Sequence, residues 1–155
     1  MVKLLKTILI SLLIAVFTAS LAMSKPFYNF GKKDPDTYFI VDYAAFKSDT
    51  SDLVRLELYY QIYNASLNFS KDNGTFKAEY EIWIKIYDNH KNMIDSYSKR
   101  KKIRVSGKDK ALSFYDYRTN QKDFELKPGK YEVKFTLSDP NSKYVIVRNL
   151  KLKLK

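Results

Sequence analysis

The sequence predicts an all-β protein, an antiparallel immunoglobulin-like β-sandwich of seven or eight strands that follows an N-terminal signal helix. Three observations lead to this prediction. Apolar and polar residues alternate with a period of two over most of the chain, turn residues recur between these segments, and no amphipathic helix pattern appears after the leader. A closed β-barrel is the alternative that the same pattern allows.

The first 22 residues resemble a secretory signal peptide. Two lysines precede an uncharged run over 7–23, and small side chains at Ser20 and Ala22 fit the positions that a signal peptidase recognises. Cleavage is expected after Ala22, with Ser24 as second choice. An uncleaved anchor stays open as an alternative, since the uncharged run over 7–23 is at the lower limit of the length that can cross a membrane. We therefore expect an exported protein, periplasmic or extracellular, that contacts a membrane only through an uncleaved leader.

The segment after the leader is expected to hold one domain. Residues 23–37 contain prolines and a glycine and are predicted to form an extended lead-in, while residues 38–155 form the β-sandwich domain. A domain of this size can bury a substantial core. The chain has no cysteine, so its folding must rest on apolar burial and strand hydrogen bonds rather than on disulfides.

The clearest strand signals lie in the first half of the domain. An apolar first strand is predicted over 38–46, and strict alternation follows over 53–63 and again over 76–86. Between the latter two, Asn73-Gly74 supplies the positive φ angles of a tight turn. The sequence therefore predicts that 53–63 and 76–86 pair as the two arms of a hairpin.

Three further strands are predicted over 93–105, 131–137 and 144–154, each of which follows a turn rich in Asp, Asn, Pro or Gly. In the last of these, the apolar positions change parity, which predicts a β-bulge near Arg148 and Asn149. The segment from 106 to 126 gives the weakest pattern, with two short strands expected over 113–115 and 123–126.

The chain is basic, with 28 Lys and Arg against 17 Asp and Glu and a formal net charge of +11. A dense basic run over 99–104 places charge on both faces of its strand, so part of it must lie at a sheet edge or in a loop. Lys151, Lys153 and Lys155 alternate with leucines and read as the solvated face of an outer strand. Nucleic acid is an unlikely partner for an exported protein.

Several strands resemble a known family. Residues 39–46, 54–62, 67–69 and 76–88 are similar to the β-sandwich region of exported bacterial proteins that are named for a Gly-Trp-x-Thr-Asp motif. The motif itself is absent, because the single tryptophan, Trp83, lies within a strand. The resemblance implies an envelope or secreted bacterial protein of unknown role, and it supplies no catalytic residues.

No catalytic residue, cofactor or metal site is predicted. The single histidine, His90, lies in a polar turn where nothing apolar would hold it as the base of a nucleophile. One His without a Cys cannot complete a His/Cys metal site. Calcium binding through loop carboxylates is the alternative, although these are also ordinary turn residues. The acidic loop positions are Asp34, Asp36, Asp49, Asp52 and Asp72.

The candidate binding surface is aromatic. Tyr59, Tyr63, Trp83 and Tyr87 all occupy odd positions of the two predicted hairpin arms, on the face that otherwise carries charges. Rings beside charges are typical of sugar-binding and protein-binding surfaces. We therefore expect a non-enzymatic binding or adaptor module for a protein or a polysaccharide of the envelope. The alternatives are a structural or assembly subunit, a carboxylate- or calcium-dependent enzyme, and a carbohydrate-binding module. The rings would alternatively cover a loop or the N-terminal segment.

Overall fold

Two antiparallel sheets pack face to face in the computed structural model, which describes residues 38–48, 52–140 and 144–155. Within these residues the strands are β1 (Phe39–Lys47), β2 (Val54–Tyr63), β3 (Ser70–Asp72), β4 (Thr75–Asp88), β5 (Met93–Ser106), β6 (Tyr117–Leu126), β7 (Gly129–Ser138) and β8 (Val145–Leu154). A 3₁₀ turn, Asn64–Ser66, follows β2, and a single helical turn, α1 (Lys108–Ala111), follows β5.

The predicted leader over 1–22 and lead-in over 23–37 lie outside the described residues, as do the acidic positions Asp34, Asp36 and Asp49. In the part of the chain that is described, none of the helices has the length and apolar character that crossing a membrane requires.

The strand order is that of an immunoglobulin-like sandwich. One sheet has the order β1-β2-β6, and the other has β5-β4-β7-β8, with the short β3 beside β4 on the same side as β7. In the strand lettering of the immunoglobulin fold, β1, β2 and β6 correspond to A, B and E. They face β5, β4, β7 and β8, which correspond to C′, C, F and G. The predicted fold class, an all-β antiparallel sandwich, is confirmed.

The core lies between the sheets and follows from the alternation. Even positions of β2 and β4, such as Leu56, Leu58, Ile82 and Ile84, are fully buried, while the odd positions between them are exposed or half-buried. Phe135 of β7 joins the two sheets, because its ring centroid lies 6.5 Å from that of Phe39 and 6.3 Å from that of Tyr60. Apolar burial of this kind is the main stabilising contribution in a domain without disulfides.

The predicted hairpin of 53–63 with 76–86 is wrong. β2 pairs with β1 and β6, whereas β4 pairs with β3, β5 and β7 in the opposite sheet. The turn itself is present, since Asn73 and Gly74 have φ angles of 46° and 80°, but it joins β3 to β4. Alternation places a residue on the inner or outer face and carries no information about which strand lies beside it.

The bulge predicted at Arg148 and Asn149 is also absent. The register of β7 with β8 continues without a shift, and Arg148 faces inward, where its Nε donates a 3.1 Å hydrogen bond to the carbonyl oxygen of Phe39. Val145 and Val147 therefore face solvent, 53% and 38% exposed. The register shift that does occur is in β4, between Ile86 and Tyr87.

Between 106 and 126 the structure differs from the two short strands predicted there. α1 and a loop come first, and one continuous strand, β6, then pairs with the whole length of β2 from Tyr63↔Tyr117 to Val54↔Leu126. β6 is hard to predict because its inward positions Arg118, Asn120 and Lys122 are polar, which removes the alternation over its first half.

Candidate binding surfaces

The fold separates the four rings of the predicted binding surface. Tyr59 and Tyr63 lie on the outer face of the three-stranded sheet, and Trp83 and Tyr87 lie on the outer face of the five-stranded sheet. These two faces point in opposite directions, because each sheet turns its other face to the core. The four rings therefore form two separate surfaces.

Trp83 lies in the middle of the five-stranded sheet and is 37% exposed. Its neighbours across the sheet are Ser98 and Thr136, and the Nζ of Lys85 lies 5.6 Å from its ring centroid. No ring–ring contact involves Trp83 within the described residues. The middle of this face therefore presents the Trp83 ring among hydroxyl and cationic groups.

Tyr63 lies within a group of aromatic rings at one end of the three-stranded sheet. Its ring centroid is 5.2 Å from that of Tyr117 and 6.1 Å from that of Tyr38, whose ring lies 4.9 Å from Phe114. We call Tyr38, Tyr63, Phe114 and Tyr117 the Tyr63 cluster. Tyr117 is 52% exposed, and Tyr115 in the adjoining loop is 89% exposed.

Polar side chains beside the Tyr63 cluster hold one another in place. The Nε2 of Gln61 donates a 3.2 Å hydrogen bond to Oγ1 of Thr119 across β2 and β6. Further along the same face, the hydroxyl of Tyr59 donates to the carboxylate of Glu57, and this bond raises the pKa of Tyr59. Gln121 donates a 2.8 Å bond to Asp123 on β6. The face thus combines rings with amide, hydroxyl and carboxylate groups whose rotamers are restricted by these contacts.

The two outer faces carry opposite charge. The outward charged residues of the three-stranded sheet are mostly acidic, namely Asp42, Glu57, Asp123 and Glu125 with Arg55. Those of the five-stranded sheet are mostly basic, namely Lys77, Lys85, Arg100, Lys102, Arg104, Lys130, Lys134, Lys151 and Lys153, with Asp72, Glu79, Glu81 and Glu132. The solvent-exposed face that was predicted at Lys151 and Lys153 is confirmed, and both residues lie on the edge strand β8.

The remaining polar positions singled out from the sequence occupy turns. His90 is exposed in the turn after β4, where its backbone N–H donates a 2.8 Å bond to Oδ1 of Asp88. Asp72 forms an ion pair with Lys77, and Asp52 is exposed. In the described part of the chain, no three His, Cys, Asp or Glu side chains are placed to hold a metal ion.

An open depression of about 360 Å³ lies between this turn and the ends of β7 and β8. Its polar lining includes the ion pair of Lys91 with Glu132, in which the lysine lowers the pKa of the carboxyl. The other polar residues of the lining are Asp88, Asn89, Lys130, Lys151 and Lys153. Tyr131 and Leu152 form its apolar side.

Sequence reasoning missed three of the four members of the Tyr63 cluster. Phe114 and Tyr117 lie in a segment that was expected to form a different set of strands, and Tyr38 contacts the cluster only because β1 lies beside β2. The density of aromatic residues over 114–117 is the signal that was available in the sequence.

Known proteins resemble this chain only in structure. No family model matches the chain, and no curated protein matches it. Among solved structures, the chain is similar to Bacteroides uniformis β-glucuronidase, with a TM-score of 0.48 and 11% identity. A calcium-binding mutant of B. uniformis β-glucuronidase 2 gives a TM-score of 0.48 and 12% identity.

In each case the match covers 76% of this chain and 13% of the other chain. This chain therefore corresponds to a small part of the length of those proteins. A likeness this partial and this distant says nothing about activity. The class to which this protein belongs, an all-β sandwich of immunoglobulin-like topology, rests on its own strand order.

Proposed function

We propose that this protein is a non-enzymatic binding module that holds a polysaccharide strand against the outer face of its three-stranded sheet. The Tyr63 cluster is the observation that carries this proposal. A tyrosine ring offers a wide apolar surface at a low cost in rotamer entropy, and its hydroxyl leaves a polar edge. Sugar rings present the same combination of an apolar face and a polar rim.

The polar groups beside the cluster support the same ligand class. Gln61 and Thr119 are already joined by a hydrogen bond, and Gln121 is joined to Asp123, so less rotamer entropy is lost when a ligand binds. Amide and hydroxyl groups both donate and accept, which matches sugar hydroxyls. The acidic residues of this face favour a neutral or amino-bearing glycan over an acidic one.

The setting of this function is part of the proposal. The basic leader with its uncharged run supports export to the periplasm or the cell exterior, and the resemblance of the strands to the Gly-Trp-x-Thr-Asp proteins supports a bacterial envelope. A chain that lacks that motif would act as an adaptor, either alone or beside a protein that carries it.

The experiment is affinity electrophoresis of the folded protein through gels that contain single neutral polysaccharides, followed by calorimetry with any that retard it. We expect the double variant Tyr63→Ala/Tyr117→Ala to weaken binding by about tenfold or more, since each ring contributes on the order of 1 kcal/mol. The variants must keep the wild-type circular dichroism spectrum.

Trp83→Ala is the matched control. It removes a larger ring, 37% exposed, from the opposite face and should leave binding unchanged. Equal loss in both variants, or full retention by the Tyr63/Tyr117 variant, would contradict the proposed surface.

A protein partner along β1 is the second candidate. β1 is an edge strand, and Ile40, Tyr43 and Phe46 on it are 46%, 41% and 45% exposed. Such an edge can accept an added strand. Ile40→Lys should then abolish the capture of that partner while polysaccharide binding stays intact.

A further inference from the structure

A group of cations lies where the two sheets meet along one side of the sandwich. β5 and β6 are edge strands of different sheets, and the Nζ of Lys101 on β5 donates a 2.9 Å hydrogen bond to Oδ1 of Asn120 on β6. The Nζ of Lys122 on β6 lies 5.3 Å from the ring centroid of Tyr97 on β5. We call this the β5–β6 cleft, formed by Tyr97, Lys99, Lys101, Arg118, Asn120 and Lys122.

The strand register places these cations on the inner side of the sandwich. Lys99 and Lys101 lie opposite Ile82 and Tyr80, which are core residues, and Arg118 and Lys122 lie opposite Ile62 and Leu58. This is the reason that the basic run over 99–104 carries charge on both faces of its strand. Arg100, Lys102 and Arg104 point outward, where Arg100 pairs with Glu79.

Within the described residues the inward cations have no acidic partner. Burial lowers the pKa of Lys101, and the neighbouring charges of Lys99 and Arg118 lower it further. Lys101, Arg118 and Lys122 are half-buried, and Lys99 is exposed at the strand edge. Like charges that converge there repel one another, and this repulsion costs free energy that a bound anion would recover.

Arg118 is held in position by a buried polar residue. Asn64, 1% exposed, accepts a 2.5 Å hydrogen bond from Nη1 of Arg118 through its Oδ1 and donates a 2.7 Å bond to the carbonyl oxygen of Lys110 through its Nδ2. A guanidinium has five N–H donors, so this contact orients the group and leaves donors for a ligand.

An unpartnered hydroxyl is the second, independent observation. Tyr80 is 1% exposed, and its hydroxyl has no hydrogen-bond partner in the described part of the chain. Burial raises the pKa of this hydroxyl, and the positive charge of Arg118 opposes the rise. Tyr80 lies directly opposite Lys101 in the register of β4 with β5. A buried donor without a protein partner calls for an explanation, and a ligand bound in the cleft would supply one.

We propose that the β5–β6 cleft binds a tetrahedral oxyanion, a phosphate or a sulfate group, between Lys99 and Lys101 of one sheet and Arg118 and Lys122 of the other. The cations would form charge-assisted hydrogen bonds to its oxygens, and the Tyr80 hydroxyl would donate to it from the core side. This site is distinct from the aromatic face and does not depend on the proposed polysaccharide.

The test measures the thermal midpoint of the full chain against increasing inorganic phosphate, with chloride added to keep the ionic strength constant. A second series uses glucose 1-phosphate, so that a free ion and a sugar-linked phosphate are distinguished. We expect a saturable rise in the midpoint in at least one series, since a ligand that binds only the folded state stabilises it.

Matched variants separate the cleft from general charge. Lys99→Gln/Lys101→Gln should weaken phosphate binding by about tenfold or more, because a hydrogen bond to a charged group contributes about 1.5 kcal/mol or more. Lys102→Gln/Arg104→Gln removes the same charge from the outward face of the same strand. This variant should change the affinity for phosphate by less than about twofold. Tyr63→Ala/Tyr117→Ala should leave phosphate binding unchanged.

Lysine acetylation in the wild-type protein gives a readout that needs no variant. Phosphate should protect Lys99 and Lys101 from the reagent and leave Lys102 as reactive as before. The absence of a saturable effect and of protection would overturn the proposal. The inward lysines would then only protect the sheet edges from aggregation, a role that inward charges also serve.

Discussion

The hydroxyl of Tyr131 donates a 2.8 Å hydrogen bond to the carbonyl oxygen of Lys127, four residues earlier in the chain. Tyr131 stands near the start of β7, the equivalent of strand F, and such a bond at this corner is typical of immunoglobulin-like sandwiches. Gly129 leaves room for the ring, because a Cβ there would come within 3.2 Å of the Tyr131 hydroxyl oxygen. The contact holds the connection from β6, in one sheet, to β7, in the other.

Replacing Tyr131 with Phe removes this bond and keeps the ring. We expect the free energy of unfolding to fall by about 1 kcal/mol, the usual net contribution of one intramolecular hydrogen bond. Urea denaturation monitored by circular dichroism measures this fall in the free energy of unfolding. Tyr115→Phe is the control, since Tyr115 is 89% exposed and should show no change. A Tyr131→Phe variant as stable as the wild type would show that the corner bond contributes nothing.

Tyr80→Phe should behave in the opposite way. Its hydroxyl is buried without a partner among the described residues, so its removal relieves a desolvation cost. In phosphate-free buffer we expect the free energy of unfolding to stay the same or to rise by up to about 1 kcal/mol. A large loss of stability would instead reveal that the hydroxyl has a partner.

The same variant links stability to the oxyanion site. If the Tyr80 hydroxyl donates to a bound oxyanion, the phosphate-dependent rise in the thermal midpoint should be smaller in Tyr80→Phe than in the wild type. Measuring both proteins with and without phosphate separates the two effects.

The turn that follows β4 should make stability depend on pH. Hydrogen bonds from the Asn92 side chain and from the backbone N–H groups of Asn92 and His90 lower the pKa of Asp88. Because the folded-state pKa is the lower one, this stabilisation is present above the unfolded-state pKa of about 3.9 and is lost as the pH falls through the folded-state pKa.

We therefore expect Asp88→Asn to be less stable than the wild type at neutral pH, with the difference shrinking in acid. A carboxyl titration by NMR should give Asp88 a pKa below that of an ordinary aspartate. The variant Asn92→Ala should raise the pKa of Asp88 again. A stability difference that is constant across the acid range would contradict the assignment.

Gly74→Ala tests the turn between β3 and β4. Gly74 has a φ of 80°, a region that L-amino acids rarely adopt, and nothing stands within 4 Å of a Cβ added there. The expected loss is about 1 kcal/mol and arises from backbone strain rather than from a clash. Asn73→Gly should be close to neutral in the same denaturation experiment, since asparagine already tolerates its φ of 46°. A similar loss in both variants would point to a different cause.

Patterns along the chain are enough to predict where most strands lie and which side chains they bury. Alternation along 54–63 and 76–86 placed Leu58, Ile82 and Ile84 in the core, and Asn73-Gly74 marked a turn, because both signals depend only on neighbouring residues. It also placed Tyr59, Tyr63, Trp83 and Tyr87 on outer faces.

Tertiary structure alone decided which strands are neighbours. It put Tyr63 beside Tyr117 and moved Trp83 to the other side of the molecule, and it brought Lys101 of one sheet to Asn120 of the other. Each strand could pair with several distant strands through similar backbone hydrogen bonds. The pairing is settled by how the two inner faces pack, a quantity that no stretch of neighbouring residues contains.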